Sequence, residues 1–174
     1  TFIMATKIAI NGFGRIGRIF FRQAFGNPNV EIVAINDLGS PENLAYLLKY
    51  DTVYRQYDKN VEVKNGSLVV EGKETKIIQE KDPYKLPWKD LGIDIVIEAT
   101  GVFDSQEKSQ AHIIAGAKRV VITAPAKDDI TVTATPNVNI QTLSDSNVTS
   151  NGSCTTNAVN PVVAVMLKNP GVQK

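Results

Sequence analysis

The 174-residue chain has little of the side chains that carry most protein chemistry: one cysteine, one histidine, one tryptophan and two methionines. A lone cysteine excludes an intrachain disulfide, which suits a reducing compartment. Uninterrupted apolar runs reach only about six residues, far short of the ~20 that a membrane-crossing helix needs. Charge of one sign is not in excess either. Nineteen Lys and Arg against eighteen Asp and Glu leave a net charge of +1, so no strong field draws nucleic acid or an anionic membrane surface. No metal site is expected. What remains, 43% hydrophobic and 21% charged residues, is the composition of an ordinary globular domain, long enough for one core and the start of another.

The opening "TFIMATK" is too short and too soon charged for a signal peptide. Met4 reads as a natural start, so residues 1–3 are set aside as a remnant, and a cytoplasmic location is expected. From there strands and helices alternate. Lys7 to Asn11 predicts a strand, Arg15 to Phe25 a helix and Glu31 to Asn36 a second strand rich in β-branched residues. Glu42 to Lys49 predicts a helix with Pro41 at its start. "VEVKNGSLVVEG" then carries Asn65-Gly66 between two alternating runs, a hairpin signal, and "KIIQ" adds a short strand. Ile93 to Glu98 and Arg119 to Thr123 are apolar strands flanking a helix from Gln106 to Ala115, closed by Gly116. A further strand is expected over Ile130 to Thr135, and an apolar helix over Thr155 to Leu167, ended by Asn169-Pro170-Gly171. The alternation implies βαβ units: a doubly wound α/β domain with a β-hairpin insertion.

"KIAINGFGRIGR" places Gly12-x-Gly14-x-x-Gly17 between the first strand and the first helix. Three glycines at this spacing are weak alone, but strand before and helix after is the context a dinucleotide requires. Gly12 permits the tight turn, Gly14 lets a pyrophosphate approach the backbone, and Gly17 allows close helix–strand packing. Free N–H groups at the helix start would hold the phosphates. Asp37 ends the second strand twenty residues after Gly17, where a carboxylate accepts from an adenosine ribose. Such a carboxylate repels a 2′-phosphate, and no Arg or Lys lies between Leu38 and Ala45, which favours NAD over NADP. "EATGVF" (98–103) and "ITAPAKDD" (122–129) follow later strands, and their loops should converge on the same crevice.

Cys154 lies in "SNGSCTTN", just before the apolar helix. The positive end of that helix would stabilise a thiolate, which could attack an aldehyde carbonyl and pass hydride to a nearby nicotinamide. A free cysteine is as often an inert, small buried residue, and both readings stay open on local chemistry. No general base is evident: His112 sits mid-helix, where packing is its ordinary role.

Taken together and in this order, "INGFGRIGR", "AIND", "EATGVF" and "SNGSCTTN" resemble the phosphorylating glyceraldehyde-3-phosphate dehydrogenase family, from about Ala5 to Lys174. The resemblance implies a Rossmann-type, mainly parallel NAD-binding domain over residues 5–153. The first helix of a truncated catalytic domain would occupy residues 154–174. It implies that Cys154 is the nucleophile, and that Gly12, Gly14, Arg15, Ile16, Gly17, Asp37, Lys81, Thr100, Gly101, Phe103 and Thr123 line the cofactor crevice. Lys81 falls where the family often has an arginine near the adenine. Ser153 and Thr155 would help hold substrate or inorganic phosphate. Gly152 and Ala158 depart from the family's usual Ala and second Cys, and "VTATPNVN" from its usual Gly-Val-Asn; Gly152 should loosen the turn slightly.

The implied activity is oxidation and phosphorylation of glyceraldehyde 3-phosphate to 1,3-bisphosphoglycerate, in an intact homotetramer. The family's catalytic histidine, its phosphate ligands and the asparagine that orients the nicotinamide amide fall outside these residues. The chain by itself is therefore expected to be inactive. The alternatives are an NAD- or adenosine-nucleotide-binding module without catalysis, and a cysteine-dependent dehydrogenase of another aldehyde, which the Cys-Thr-Thr-Asn context disfavours.

Overall fold

The computed structural model describes residues 5–169 and 171. The expected alternation is present: β1 (Thr6–Asn11), α1 (Arg15–Ala24), β2 (Val30–Asn36), α2 (Pro41–Lys49), β3 (Val61–Lys64), β4 (Ser67–Val70), β5 (Lys73–Ile78), α3 (Trp88–Leu91), β6 (Ile95–Glu98), α4 (Gln106–Ile114), β7 (Arg119–Ile122), β8 (Val132–Thr133), β9 (Val148–Ser150) and α5 (Cys154–Lys168). The strands form one sheet in the order β3-β4-β5-β2-β1-β6-β7-β9-β8. The β3–β4 and β4–β5 pairings are antiparallel and every other pairing is parallel. Asn65 (φ 50°) and Gly66 (φ 78°) both have positive φ, the conformation a two-residue hairpin turn demands.

Side-chain alternation along the strands separates two cores. Ile8, Ile10, Ile35 and Ile97 face one side, where Phe21 of α1 and Leu44 and Leu48 of α2 cover them. Ala9, Ala34 and Val96 point the other way, with Val120 of β7, onto Trp88 and Ala117. Covering both faces is what lets the middle of each of these strands be apolar on both sides. Phe21 is wholly buried and meets Phe13 edge-on at 5.7 Å. Burying each such side chain stabilises the fold by about 1.5–3 kcal/mol.

Three departures from the expected elements have physical causes. The strand over Ile130 to Thr135 is only Val132–Thr133. Thr135 leaves the sheet instead: its N–H donates to Asn139 Oδ1 at 2.8 Å, and Asn139 Nδ2 donates to Thr133 O. β9, absent from the sequence reading, inserts between β7 and β8, where three residues suffice because both edges are paired. The last helix starts at Cys154 itself, because Ser153 Oγ accepts from Thr156 N at 3.0 Å and caps it. The expected stop at Asn169-Pro170-Gly171 falls partly outside the described residues.

The connection after β7 is clamped to the start of α4. Asp128 accepts from Gln106 N at 2.6 Å, and Asp104, on the loop before α4, binds Lys108 and Lys127, each at 2.9 Å. The Lys108 and Lys127 ammonium groups hold the Asp104 carboxyl at about 2, below its ordinary 3.8. A carboxyl lowered on folding contributes stability above the unfolded value and loses it as pH falls through the folded one. Acid unfolding followed by circular dichroism should therefore show a component between about pH 4 and pH 2. That component should be missing in Asp104→Asn. An unchanged acid profile in the variant would remove Asp104 as its source.

Candidate functional site

Chain direction about β1 creates the site. From β1 the chain runs to β2 on one side; it later returns to β6 on the other, then moves outward to β7 and β9. Loops therefore diverge above the carboxyl ends of β1 and β6, the place where open α/β sheets bind ligands. A cleft of about 480 Å³ lies there, with Asn11, Gly12 and Gly14 from the first strand end. Asn36, Asp37 and Leu38 come from the second, Glu80, Lys81, Pro83 and Leu86 follow β5, and Ala99, Thr100, Val102 and Phe103 follow β6.

The glycine loop is built for backbone approach. Gly12 has φ +91°, and a Cβ there would stand 2.7 Å from Thr100 N and 2.8 Å from Ala99 C. Gly17 is buried, and a Cβ there would overlap the Gly12 carbonyl oxygen. Gly14, by contrast, has nothing within 4 Å of where a Cβ would be, so its backbone faces open space. It also occupies the cap position of α1, which has no side-chain cap and no acidic residue in its first turn. α2, α4 and α5 are all capped, by Ser40, Ser105 and Ser153. The first-turn N–H groups of α1 are therefore donors without an intrahelical partner, at the positive end of a helix, beside the cleft. These features fit a dinucleotide pyrophosphate.

Asp37 borders the same loop. Its Oδ2 accepts from Phe13 N at 2.7 Å and its Oδ1 from Gly39 N at 2.9 Å. The carboxylate thus joins the glycine loop to the turn after β2, a link the sequence reading did not anticipate, and it lines the cleft. Behind the opposite wall Glu98, 2% exposed, gathers four donors. Asn11 Nδ2 donates at 2.6 Å, His112 Nε2 at 3.0 Å, Thr100 N at 2.8 Å, and the Thr100 hydroxyl closes the set.

Of the residues expected at the cofactor, Gly12, Gly14, Asp37, Lys81, Thr100 and Phe103 line the cleft together. Arg15, Ile16 and Gly17 form the first turn of α1 behind it, and Gly101 lies exposed between two lining residues. Thr123 sits at the end of β7, its hydroxyl donating to Glu98 O at 3.0 Å. Ser153, Cys154 and Thr155 are outside the cleft, at the end of β9 along the same edge of the sheet. From β1 to β9 is three strand steps, ~14 Å at the usual spacing.

At that edge the turn before Cys154 is closely tied. Ser150 Oγ donates to Ala124 O at 2.7 Å and accepts from Gly152 N at 2.9 Å. Gly152 is buried with φ +72°, so the glycine meets a left-handed turn rather than loosening one. Asn157 Nδ2 donates to Asn151 O and Ser153 O, at 2.7 and 2.9 Å. Cys154 is exposed. His112 is wholly buried under the sheet and hydrogen-bonded to Trp88 and Glu98, which makes it part of the scaffold.

The sequence reading missed Asn11, Asn36 and Glu80. The two asparagines end apolar strands, and a buried amide in that position is the only signal that could have marked them.

Residues 6–106 match the family model described as glyceraldehyde 3-phosphate dehydrogenase, NAD binding domain. The glyceraldehyde-3-phosphate dehydrogenase of Thermotoga maritima is 51% identical over 169 residues, which cover 95% of this chain and 50% of that protein. That of Clostridium acetobutylicum is 50% identical over 169 residues, 97% of this chain and 50% of its own length. Glyceraldehyde-3-phosphate dehydrogenase A of Escherichia coli is 46% identical, again over 169 residues, with 97% and 51% covered. The chain spans about half the length of the curated relatives it matches.

Proposed function

Since the chain belongs to the glyceraldehyde-3-phosphate dehydrogenase family and carries its NAD-binding domain, we propose that it serves the oxidation and phosphorylation of glyceraldehyde 3-phosphate in a protein of its relatives' length. The observation that carries this reading is the uncapped start of α1 behind Gly12-x-Gly14-x-x-Gly17, facing a cleft that Asp37 and Thr100 border. Residues 5–153 are the dinucleotide domain, and α5 begins the catalytic one. An exposed apolar surface on α5, with Val159, Val162, Val165, Met166 and Leu167, supports that division.

In this reading the N–H groups of Arg15 and Ile16 bind the pyrophosphate, Asp37 holds the adenosine ribose and Lys81 lies near the adenine. Thr100, Gly101, Phe103 and Thr123 border the path toward the nicotinamide. NAD supplies the hydride acceptor. Cys154 sulfur bonds to the aldehyde carbon and its thiol proton leaves to a base; hydride departs from that carbon, leaving a thioester on the cysteine. Inorganic phosphate, held with help from Ser153 and Thr155, then attacks the acyl carbon and releases the thiolate. A homotetramer in the cytoplasm is the matching assembly and location; no helix among the described residues is long and apolar enough to cross a membrane.

A second reading, an NAD-binding module without catalysis, is favoured for the chain by itself, because its one imidazole is committed to Trp88 and Glu98. Calorimetric titration separates these cases. The chain should bind NAD and discriminate against NADP by roughly 10–100-fold, because a 2′-phosphate would face the Asp37 carboxylate. Asp37→Asn should narrow that gap. Equal affinity for both nucleotides in the wild type would sink the role of Asp37; binding of neither would sink the cofactor assignment for this chain.

A further inference from the structure

The buried hydrogen bonds around Glu98 extend beyond the carboxylate. Asn11, which donates to Glu98, accepts at Oδ1 from Asn36 Nδ2 at 2.7 Å. Asn36 in turn exchanges two hydrogen bonds with the Glu80 backbone, each at 2.9 Å. One chain of polar groups therefore joins the carboxyl ends of β6, β1, β2 and the segment after β5. Those four strand ends wall the cleft.

At its other end the chain reaches out of the cleft altogether. Trp88 Nε1 donates to His112 Nδ1 at 3.1 Å, and both side chains are fully buried. An indole can only donate, so Nδ1 must be the acceptor and the imidazole hydrogen must lie on Nε2, aimed at Glu98 Oε2. Trp88 thereby sets which hydrogen-bonding role His112 presents to Glu98. The loop after β6 is held from the same helix: Phe103 meets the His112 ring edge-on at 5.7 Å, and Ser109 Oγ donates to Phe103 O at 2.7 Å.

We propose that Trp88 and His112 are positioning residues of the cofactor cleft: by locking the imidazole tautomer they orient Glu98, which fixes Thr100 and Asn11 and through them the four strand ends that receive the dinucleotide. The proposal rests on the cofactor reading above. It assigns a role to two residues that do not line the cleft, and it has a signature that packing alone lacks. In Glu98→Gln, an amide carbonyl placed to accept from Thr100 N turns its NH2 toward Asn11 Nδ2 and His112 Nε2–H, donor against donor. With Trp88 present the imidazole cannot change tautomer to relieve this. In Trp88→Phe/Glu98→Gln it can, because Nδ1 is free to carry the hydrogen and Nε2 to accept.

The test is a double-mutant cycle on NAD affinity by calorimetry, with amide hydrogen exchange on the same proteins. Glu98→Gln should weaken NAD binding about tenfold or more, the usual effect of opposing buried donors. Trp88→Phe should weaken it about threefold, and the double variant should bind no worse than Glu98→Gln alone. Multiplicative losses, or wild-type affinity in Glu98→Gln, overturn the proposal. If Glu98→Gln does not fold, Trp88→Phe decides: amide exchange at Thr100 and Glu80 should accelerate while that at Val69, in β4, is unchanged. Equal acceleration throughout, or none, overturns it. If the wild-type chain binds no NAD, the cofactor reading fails; the same exchange comparison then decides whether the network couples the strand ends.

Discussion

Gly17→Ala should abolish NAD binding and cost at least about 3 kcal/mol of stability, the range of overpacking and strain at a site that cannot give. The new methyl would overlap the Gly12 carbonyl oxygen and come within 3.2 Å of Gly12 C and Ile10 Cγ2. Neither neighbour can retreat. Gly12 is itself pressed against the Ala99–Thr100 backbone, where a Cβ would find only 2.7–2.8 Å. Ile10 is itself fully buried, in the strand between β2 and β6. α1 would have to lift off the sheet, carrying its first-turn N–H groups away from the cleft and exposing Phe21. Gly14→Ala is the matched comparison. It meets nothing within 4 Å and has φ −70°, so stability should stay within about 0.5 kcal/mol while NAD binding weakens, because the methyl enters the space left for the pyrophosphate. Urea unfolding and NAD titration of both variants check the pair. A Gly17→Ala protein with the wild-type midpoint and affinity would refute the packing argument.

The other large effect is expected at Cys154. A chimera in which this chain replaces the matching half of the Thermotoga maritima relative should oxidise glyceraldehyde 3-phosphate, and Cys154→Ser should reduce that activity by about 10⁴-fold or more. A hydroxyl is a far weaker nucleophile than a thiolate at neutral pH, and its ester would form where a thioester is needed. Stability should change by less than about 0.5 kcal/mol, because the thiol is exposed and the cap of α5 belongs to Ser153. Ser153→Ala should cost about 1 kcal/mol of stability through the lost cap, and should lower the activity far less than Cys154→Ser, with the loss read mainly as weaker use of inorganic phosphate. Steady-state NADH production and thermal unfolding of the two chimeras check both halves. A Cys154→Ser chimera with wild-type turnover would remove the cysteine from the mechanism.

Much of the fold was legible because its signals are local. Alternation along β1 and β2, the Asn65-Gly66 turn and the Gly12-x-Gly14-x-x-Gly17 loop each lie within a dozen residues and rest on backbone sterics or side-chain direction. Asp37 could be placed because the end of β2 is a fixed distance along the chain from the glycine loop. Elements that exist only through their neighbours were not legible. β9 is three residues, too short to show a period, and is a strand because β7 and β8 flank it. Val132–Thr133 is shorter than its β-branched run suggests, because Asn139 draws Thr135 into a turn.

The site divides along the same line. The sequence by itself determined the groups available: a glycine loop at a helix start, a carboxylate at the end of the second strand and a single thiol ahead of a helix. Backbone conformation and residue type are properties of short segments, so they can be read from them. Only the tertiary structure decided that Asn11, Glu98 and His112 meet beneath the cleft, and that Asp37 grips the glycine loop through Phe13 N. It also showed that the histidine answers to Trp88 rather than to the cysteine. Those partners are 14 to 87 residues apart in the chain, and a hydrogen bond at that separation leaves no period or spacing in a sequence. It appears once the sheet has set its strand order, because adjacency in the sheet, not along the chain, brings the groups within reach.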